Sequence, residues 1–469
     1  MQDDWTEEFY NEINPEKRLE ILKKNTPDQK TGTDLFRDRL WVARYGKRKP
    51  KNDAAIVGRA LGANALASVG ASSSVQFLVL GFCIGLACGF GVPIAKSFGA
   101  GDMAQMRSHI FHSMFLTGVF AVILTAVCAL LCPQILHLLS TPDEIYQGAY
   151  NYLIILFLGI PFSLLYNLMS SILRSVGDSR TPFIFLAIST VLNIILDLVC
   201  ILVFHWGCAG AAAATITAQA VSGILCCIYI WTKVPVLRIS GKDCHVQSRG
   251  VRIMCTMGVP MGLQYSITAI GSMVMQYANN SLDSVVYVSA FTAALRLKQF
   301  FMCPFDAIAT GVSVFCSQNL GAGKKKRIVK GLFQGMAVAV GYGLCAGILL
   351  IFFGRDLCRI FISSRENKVL DAAAMYLFCQ GFFFWSLGIL NVSRMTTQGL
   401  GYSGRAVFSG VTEMVARIVV SLIFVPIYGY TAICFGDQTA WVSACVFIFP
   451  TCLICLKKVG ANFRFRKVA

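Results

Sequence analysis

The first 52 residues hold no apolar run, and beyond Asp53 the chain turns almost continuously hydrophobic. A membrane helix needs about 20 mostly apolar residues. Runs of that kind fall near 66–92, 108–132, 150–173, 182–204, 208–231, 252–278, 286–316, 331–353, 372–396, 405–427 and 431–456. Each predicts one span, eleven in all. The prolines inside them are tolerable, because neighbouring helices can resatisfy the carbonyls that a proline frees.

The polar breaks between these runs alternate in charge. Those carrying Lys96 and Arg107, Arg174 and Arg180, Lys233 to Arg249, Lys324 to Arg327, and Arg405 are basic. Those near 141–144, 205–207, 279–284 and 428–430 contain no Lys or Arg; only 355–368 is mixed. Basic loops are retained in the cytoplasm during insertion. The basic side and the tail with Lys457, Lys458, Arg464, Arg466 and Lys467 are therefore expected there.

An internal repeat is legible in the same loops. Ala95-Lys-Ser-Phe-Gly-Ala-Gly-Asp102 parallels Ser317-Gln-Asn-Leu-Gly-Ala-Gly-Lys324 at an offset of 222 residues. Leu173-Arg-Ser-Val-Gly-Asp178 parallels Thr397-Gln-Gly-Leu-Gly-Tyr402 at an offset of 224. Both pairs open a basic loop after a long run, so the two halves share one orientation. The expected fold class is an all-α polytopic membrane protein of two like-oriented helix bundles. Its expected parts are a polar segment 1–52, an incomplete N-lobe 53–231, a cytoplasmic connection 232–251, a C-lobe 252–456 and a basic tail 457–469. Related bundles of this kind place a substrate site at their interface, near the bilayer midplane.

Composition sharpens the exclusions. The 469 residues are 56% hydrophobic and 14% charged, with a mean hydropathy of +0.63. A soluble domain carries about 25% charged residues, so soluble enzyme and disordered scaffold are excluded. The net charge of +17 would ordinarily raise nucleic acid as a partner. Here the bases sit in short loops between apolar runs, and no nucleic-acid partner is expected. All 19 cysteines lie beyond residue 52, most within runs, as in Cys226-Cys227 and Cys452-Leu-Ile-Cys455. They read as small lipid-compatible side chains rather than a disulfide framework. No Walker motif, H-E-x-x-H or G-x-S-x-G occurs, so any pumping draws on an ion gradient.

Ionisable residues inside spans are costly and mark function by default. The sharpest is Asp197, with Asn193 one helical turn earlier on the same face. A carboxylate beside an amide carbonyl offers oxygens to a hard monovalent cation, or a proton-exchanging site; a structural polar pair is the plain alternative. Glu413 and Arg417 are also four apart and read equally as a self-neutralising intrahelical pair or as part of the pathway. Arg296, Lys298 and Asp306 are candidates for a wet cavity. His109 and His112 are expected at the membrane interface, with no carboxylate to complete a metal site. Gly81-x3-Gly85-x3-Gly89 and Ala211–Ala214 read as small-residue stripes for close helix approach.

At these motifs the chain resembles the multidrug and toxic compound extrusion (MATE) transporters, in particular their bacterial DinF-like branch. The resemblance rests on Ile56-Val-Gly-Arg-Ala-Leu-Gly-x-Asn-Ala-Leu-Ala-Ser-Val-Gly70, Leu173–Pro182, the Asn193/Asp197 run and Gln318-Asn-Leu-Gly-Ala-Gly323, and covers about 52–456. It implies twelve helices in two lobes of six. It also implies export of cationic or amphipathic small molecules in exchange for Na+ or H+, with no cofactor, by a monomer in the cell membrane. The family's ion site carries over to Asp53, Asn193, Asp197 and Thr215, with Tyr152 a weaker member. A lipid-linked precursor flippase of the wider superfamily is the runner-up and would favour cavity arginines, for which Arg296 and Arg417 are candidates. An intramembrane enzyme is disfavoured for want of a facing pair of acids or a metal-ligand set. The departure is at the start. Where the family has its first helix, residues 31–51 carry seven bases and two acids. A span there would cost more than ~10 kcal/mol. Residues 1–52 are thus expected to be a non-membrane segment joined to a transporter lacking its first helix, leaving Asp53 poorly held and transport weak or absent.

Overall fold

The computed structural model describes residues 63–138, 143–282, 284–359, 362 and 366–466. Asp53 and the polar segment 1–52 lie outside them, as do the expectations placed on that segment. The described residues form α1 (Ala63–Ala100), α2 (Met103–Leu138), α3 (Asp143–Leu158), α4 (Ile160–Ser175), α5 (Arg180–Leu198) and α6 (Gly207–Lys233) in the first half. The second half comprises α7 (Ser248–Asn280), α8 (Val285–Gly321), α9 (Lys325–Cys358), α10 (Asn367–Gly381), α11 (Phe384–Gly399), α12 (Ser403–Val419), the single turn α13 (Val425–Tyr428) and α14 (Tyr430–Arg466). No strand occurs among them.

Among the described residues, nine helices are long and apolar enough to cross a membrane, or up to eleven if each of two bent pairs is one span. The bent pairs are α3 with α4, at 46°, and α10 with α11, at 54°. The first bend follows Gly159 and has Pro161 in the first turn of α4, where its missing N–H costs nothing. Large apolar side chains such as Leu130, Phe352 and Val446 point outward, each more than 70% exposed. Such a surface suits hydrocarbon, where every backbone group is satisfied within the helices.

Sequence decides where the long helices stop. After α1, Gly101 takes a positive φ of 74°, with the Asp102 N–H donating to the Ser97 carbonyl and the Gly101 N–H to that of Phe98. After α8, Gly323 does the same at 71°, with Lys324 donating to Asn319 and Gly323 to Leu320. Gly177 and Gly401, at 98° and 92°, end α4 and α11 with the same pair of bonds. This is the glycine-capped helix end that lacks a Cβ penalty. The repeat in the sequence is thus a repeat of helix termini.

Small residues set the helix crossings. The Gly81, Gly85 and Gly89 stripe lies on α7. A Cβ at Gly85 would come within 2.8 Å of the Gly262 Cα, and one at Gly89 within 2.5 Å of the Gly258 Cα. At the basic-loop end α1 crosses α8, with Gly99 against the Gln318 backbone and Gly321 against the Lys96 backbone.

His109 and His112 lie in the first turns of α2 and are both buried. His109 Nδ1 shares a hydrogen bond with the Ser97 hydroxyl at 3.0 Å. His112 donates from Nδ1 to the Ser108 carbonyl and accepts at Nε2 from the Gln247 N–H at 3.0 Å. Their two nitrogens fasten α2 to α1 and to the start of α7, which is why an apolar helix tolerates them.

Candidate functional site

Asn193 and Asp197 lie on α5, both fully buried. The pairing of α5 with α6 fixes what they face. The Ser222 hydroxyl donates to the Phe185 carbonyl at 2.9 Å, and the Ser189 hydroxyl to the Ala218 carbonyl at 2.5 Å. Farther along, Gly210 packs against Cys200. This antiparallel register puts Asn193 level with Thr215 and Asp197 level with Ala211. Thr215 is buried on the same hairpin. Tyr152, from α3, packs with Ala211 and Ala212, and its hydroxyl donates to Gln76 Oε1 on α1 at 3.5 Å. The small side chains of Ala211 and Ala212 leave room for that ring.

The α5–α6 register thus brings Asn193, Asp197 and Thr215 to one stretch of the hairpin, and Tyr152 packs on that hairpin at Ala211 with Gln76, which the sequence reading passed over, at its hydroxyl. The Asn193 amide has no hydrogen-bond partner for either its nitrogen or its oxygen among the described residues. Burying an amide unsatisfied costs about 1–3 kcal/mol. An amide oxygen beside a buried carboxylate is the kind of oxygen pair that suits a small hard cation, whose attraction strengthens in a low-dielectric setting.

The second half holds more buried charge than the sequence reading found. Asp437, on α14, accepts at Oδ2 from Lys298 Nζ (2.5 Å), the Tyr376 hydroxyl (2.7 Å) and Gln380 Nε2 (3.0 Å), and at Oδ1 from Arg417 Nε (3.1 Å). Glu413 lies 3.5 Å from Arg417 along α12 and also pairs with Arg394 on α11, which donates to the Ser409 hydroxyl at 2.9 Å. The Glu413–Arg417 pair is therefore not closed within its helix. It is the middle of a five-charge network joining α8, α11, α12 and α14. Lys298 is buried in that network rather than lining a wet cavity. Arg296 and Asp306 are half-buried on α8, and Asp306 lies within electrostatic reach of Arg394 and Tyr265. Asp437 and Arg394 were overlooked in the sequence: Asp437 is a lone charge inside an apolar run, and Arg394 is a lone charge near the end of one.

A small cavity of about 20 Å³ lies between the halves, lined by Val92, Ser171, Arg174, Met261, Ser313 and Met395. Its walls come from α1, α4, α7, α8 and α11, so the closely crossed helices of both halves enclose it.

Comparison with known proteins gives a consistent picture. The MatE family model matches residues 52–199 and 260–423. A second model, for a family of unknown function, matches residues 4–58. The probable multidrug resistance protein YpnP of Bacillus subtilis (strain 168) is 32% identical over 337 residues, covering 72% of this chain and 75% of that protein. The probable multidrug resistance protein NorM of Thermotoga maritima is 26% identical over 346 residues, covering 72% and 73%. A crystal structure of MATE in complex with MaL6 superposes with a TM-score of 0.84 at 18% identity, covering 92% of this chain and all of the other. The helical fold, the glycine-capped repeat and these matches agree: the chain belongs to the MATE family and is a polytopic membrane transporter of small molecules.

Proposed function

We propose that this transporter is a secondary active multidrug exporter of cationic or amphipathic compounds, driven by Na+ or H+ entering at Asp197, Asn193 and Thr215. The observation that carries the reading is the fully buried Asn193/Asp197 pair facing Thr215 in a chain of this family. A carboxylate in that position holds charge at a cost of several kcal/mol unless a cation or proton accompanies it. Cation entry and drug exit then become alternative occupancies of one bistable bundle, linked through whatever differential affinity each ligand has for its two states. The interface between the halves is the substrate path in this reading; Arg174, Thr310 and Ser313 line its small cavity, and Asp306 and Arg296 lie half-buried on α8 outside that lining.

In this reading the protein works as a monomer in the cell membrane with its C-terminus in the cytoplasm, an orientation that the basic loops support. The separate family match over residues 4–58 supports reading 1–52 as a unit of different origin from the transporter. The flippase reading is less well supported. It needs cations free to grip a phosphate-linked substrate, whereas Arg394, Arg417 and Lys298 are engaged by Glu413 and Asp437. The test is drug efflux from proteoliposomes under a Na+ gradient and under a pH gradient, applied separately. Efflux driven by one of them supports the reading, and efflux driven by neither removes it.

A further inference from the structure

The offsets that align the helix ends also align the buried polar sites. Gly101 and Gly323, and Gly207 and Gly429, are pairs 222 residues apart; Gly177 and Gly401 are 224 apart. Within each pair the φ angles agree closely: 74° with 71°, 59° with 57°, and 98° with 92°. Carrying 222 along α1 and α6, and 224 along α3 and α5, assigns each first-half site residue a partner. Gln76 falls on Lys298, Tyr152 on Tyr376, Asn193 on Arg417, Asp197 on Ser421 and Thr215 on Asp437.

Two regularities emerge. The tyrosine is kept, and in each half it bonds the residue at the α1 or α8 position. Tyr152 reaches Gln76 at 3.5 Å, and Lys298 Nζ reaches the Tyr376 hydroxyl at 3.3 Å. The carboxylate and the hydroxyl have exchanged helices: Asp197 and Thr215 in the first half, Ser421 and Asp437 in the second. The one change in charge is that the neutral amides Gln76 and Asn193 become the cations Lys298 and Arg417. Both now rest on Asp437, at 2.5 Å and 3.1 Å. Oxygens fit for a cation remain around them, since the Gln380 Oε1 and Ser421 Oγ are buried with no hydrogen-bond partner among the described residues.

We propose that the second half carries a monovalent-cation site of the same design as the first, permanently filled by the chain's own Lys298 ammonium and Arg417 guanidinium. One half then exchanges a cation while the other is held in its cation-bound arrangement, so one coupling cation moves per cycle. The inference rests on the cation reading of the first-half site, and the two can be tested apart.

Restoring the first-half residues, Lys298→Gln with Arg417→Asn, exposes Asp437. Radiolabelled Na+ binding and potentiometric proton binding are measured on the purified full chain in detergent. The unaltered chain should bind one cation, and Asp197→Asn should bind none. Adding Lys298→Gln and Arg417→Asn to Asp197→Asn should bring back one bound cation, and adding Asp437→Asn should remove it. A folded, monodisperse triple variant that binds neither ion overturns the proposal. If Asp197→Asn alone still binds a cation, the first-half reading fails. The second-half site is then judged by whether Lys298→Gln with Arg417→Asn adds a cation to the unaltered chain. Should the double substitution prevent folding, Lys298→Gln alone leaves Arg417 on Asp437. Made in the Asp197→Asn background, so that the first-half site adds nothing, it should melt at a higher temperature in NaCl than in choline chloride, a difference abolished by Asp437→Asn. No such difference overturns the proposal equally.

Discussion

Gly99 and Gly321 stand 222 residues apart and take each other's surroundings: Gly99 packs on the Gln318 backbone and Gly321 on the Lys96 backbone, itself a pair at the same offset. The crossing of α1 and α8 is therefore a contact between equivalent surfaces, as at a two-fold axis. A Cβ on Gly99 would lie 2.6 Å from the Gln318 Cα, and one on Gly321 would lie 2.8 Å from the Ala100 nitrogen. Backbone cannot step aside as a side chain can. Gly99→Val and Gly321→Val should each destabilise by about 1–3 kcal/mol, the usual cost of overpacking. Thermal unfolding in detergent measures this. Gly118→Val, where nothing lies within 4 Å, is the control expected to change little.

The second-half network makes a prediction of opposite character. Asp437→Ala leaves Lys298 and Arg417 buried without their carboxylate, and removing one partner of a buried ion pair costs about 3–5 kcal/mol. The exposed Arg359–Asp356 pair at 2.7 Å, with Asp356 61% exposed, is a useful contrast. Asp356→Ala should cost less than about 1 kcal/mol despite the good geometry. Equal losses for the two variants would mean the buried network contributes no more than a surface pair.

Neutral ligands should act on affinity more than on rate. Asn193→Ala and Thr215→Ala each remove one oxygen from a cation whose charge is still balanced by Asp197. A hydrogen bond or contact to a charged group contributes about 1.5–3 kcal/mol. The cation concentration for half-maximal efflux should then rise about tenfold or more, with the maximal rate largely kept. Titrating the driving cation in proteoliposomes checks this. A collapse of maximal rate at saturating cation would instead mark these residues as part of the moving machinery.

Much of this was legible in the sequence, and the parts that were not have physical causes. The eleven runs coincide with nine long helices and two bent pairs among the described residues, because crossing hydrocarbon demands at least that much apolar length. The glycine loops were legible because a positive φ at a helix end singles out one residue type. The bends near Gly159 and Gly381 were not, since a run of apolar residues is equally apolar when broken. Nor were the π-helical turns at Val199–Val203 and Val420–Phe424. Asp437 escaped because its repeat partner is Thr215, and a search for matching residue types does not align a hydroxyl with a carboxylate. Arg394 escaped because it sits at the end of the run over 372–396, where it resembles a loop base. Asn193 and Asp197 stood out for the opposite reason, with an apolar run on either side and one helical turn between them.

The central claim is that Asp197 is where the driving cation acts. The most direct measurement is drug efflux by Asp197→Asn in proteoliposomes under whichever gradient drives the unaltered chain, with folding checked by its melting transition. Asn is close to Asp in size and removes only the charge and the exchangeable proton. Gradient-driven efflux should fall to the level of protein-free vesicles while the protein still folds. Efflux at the full rate under the same gradient would contradict the account.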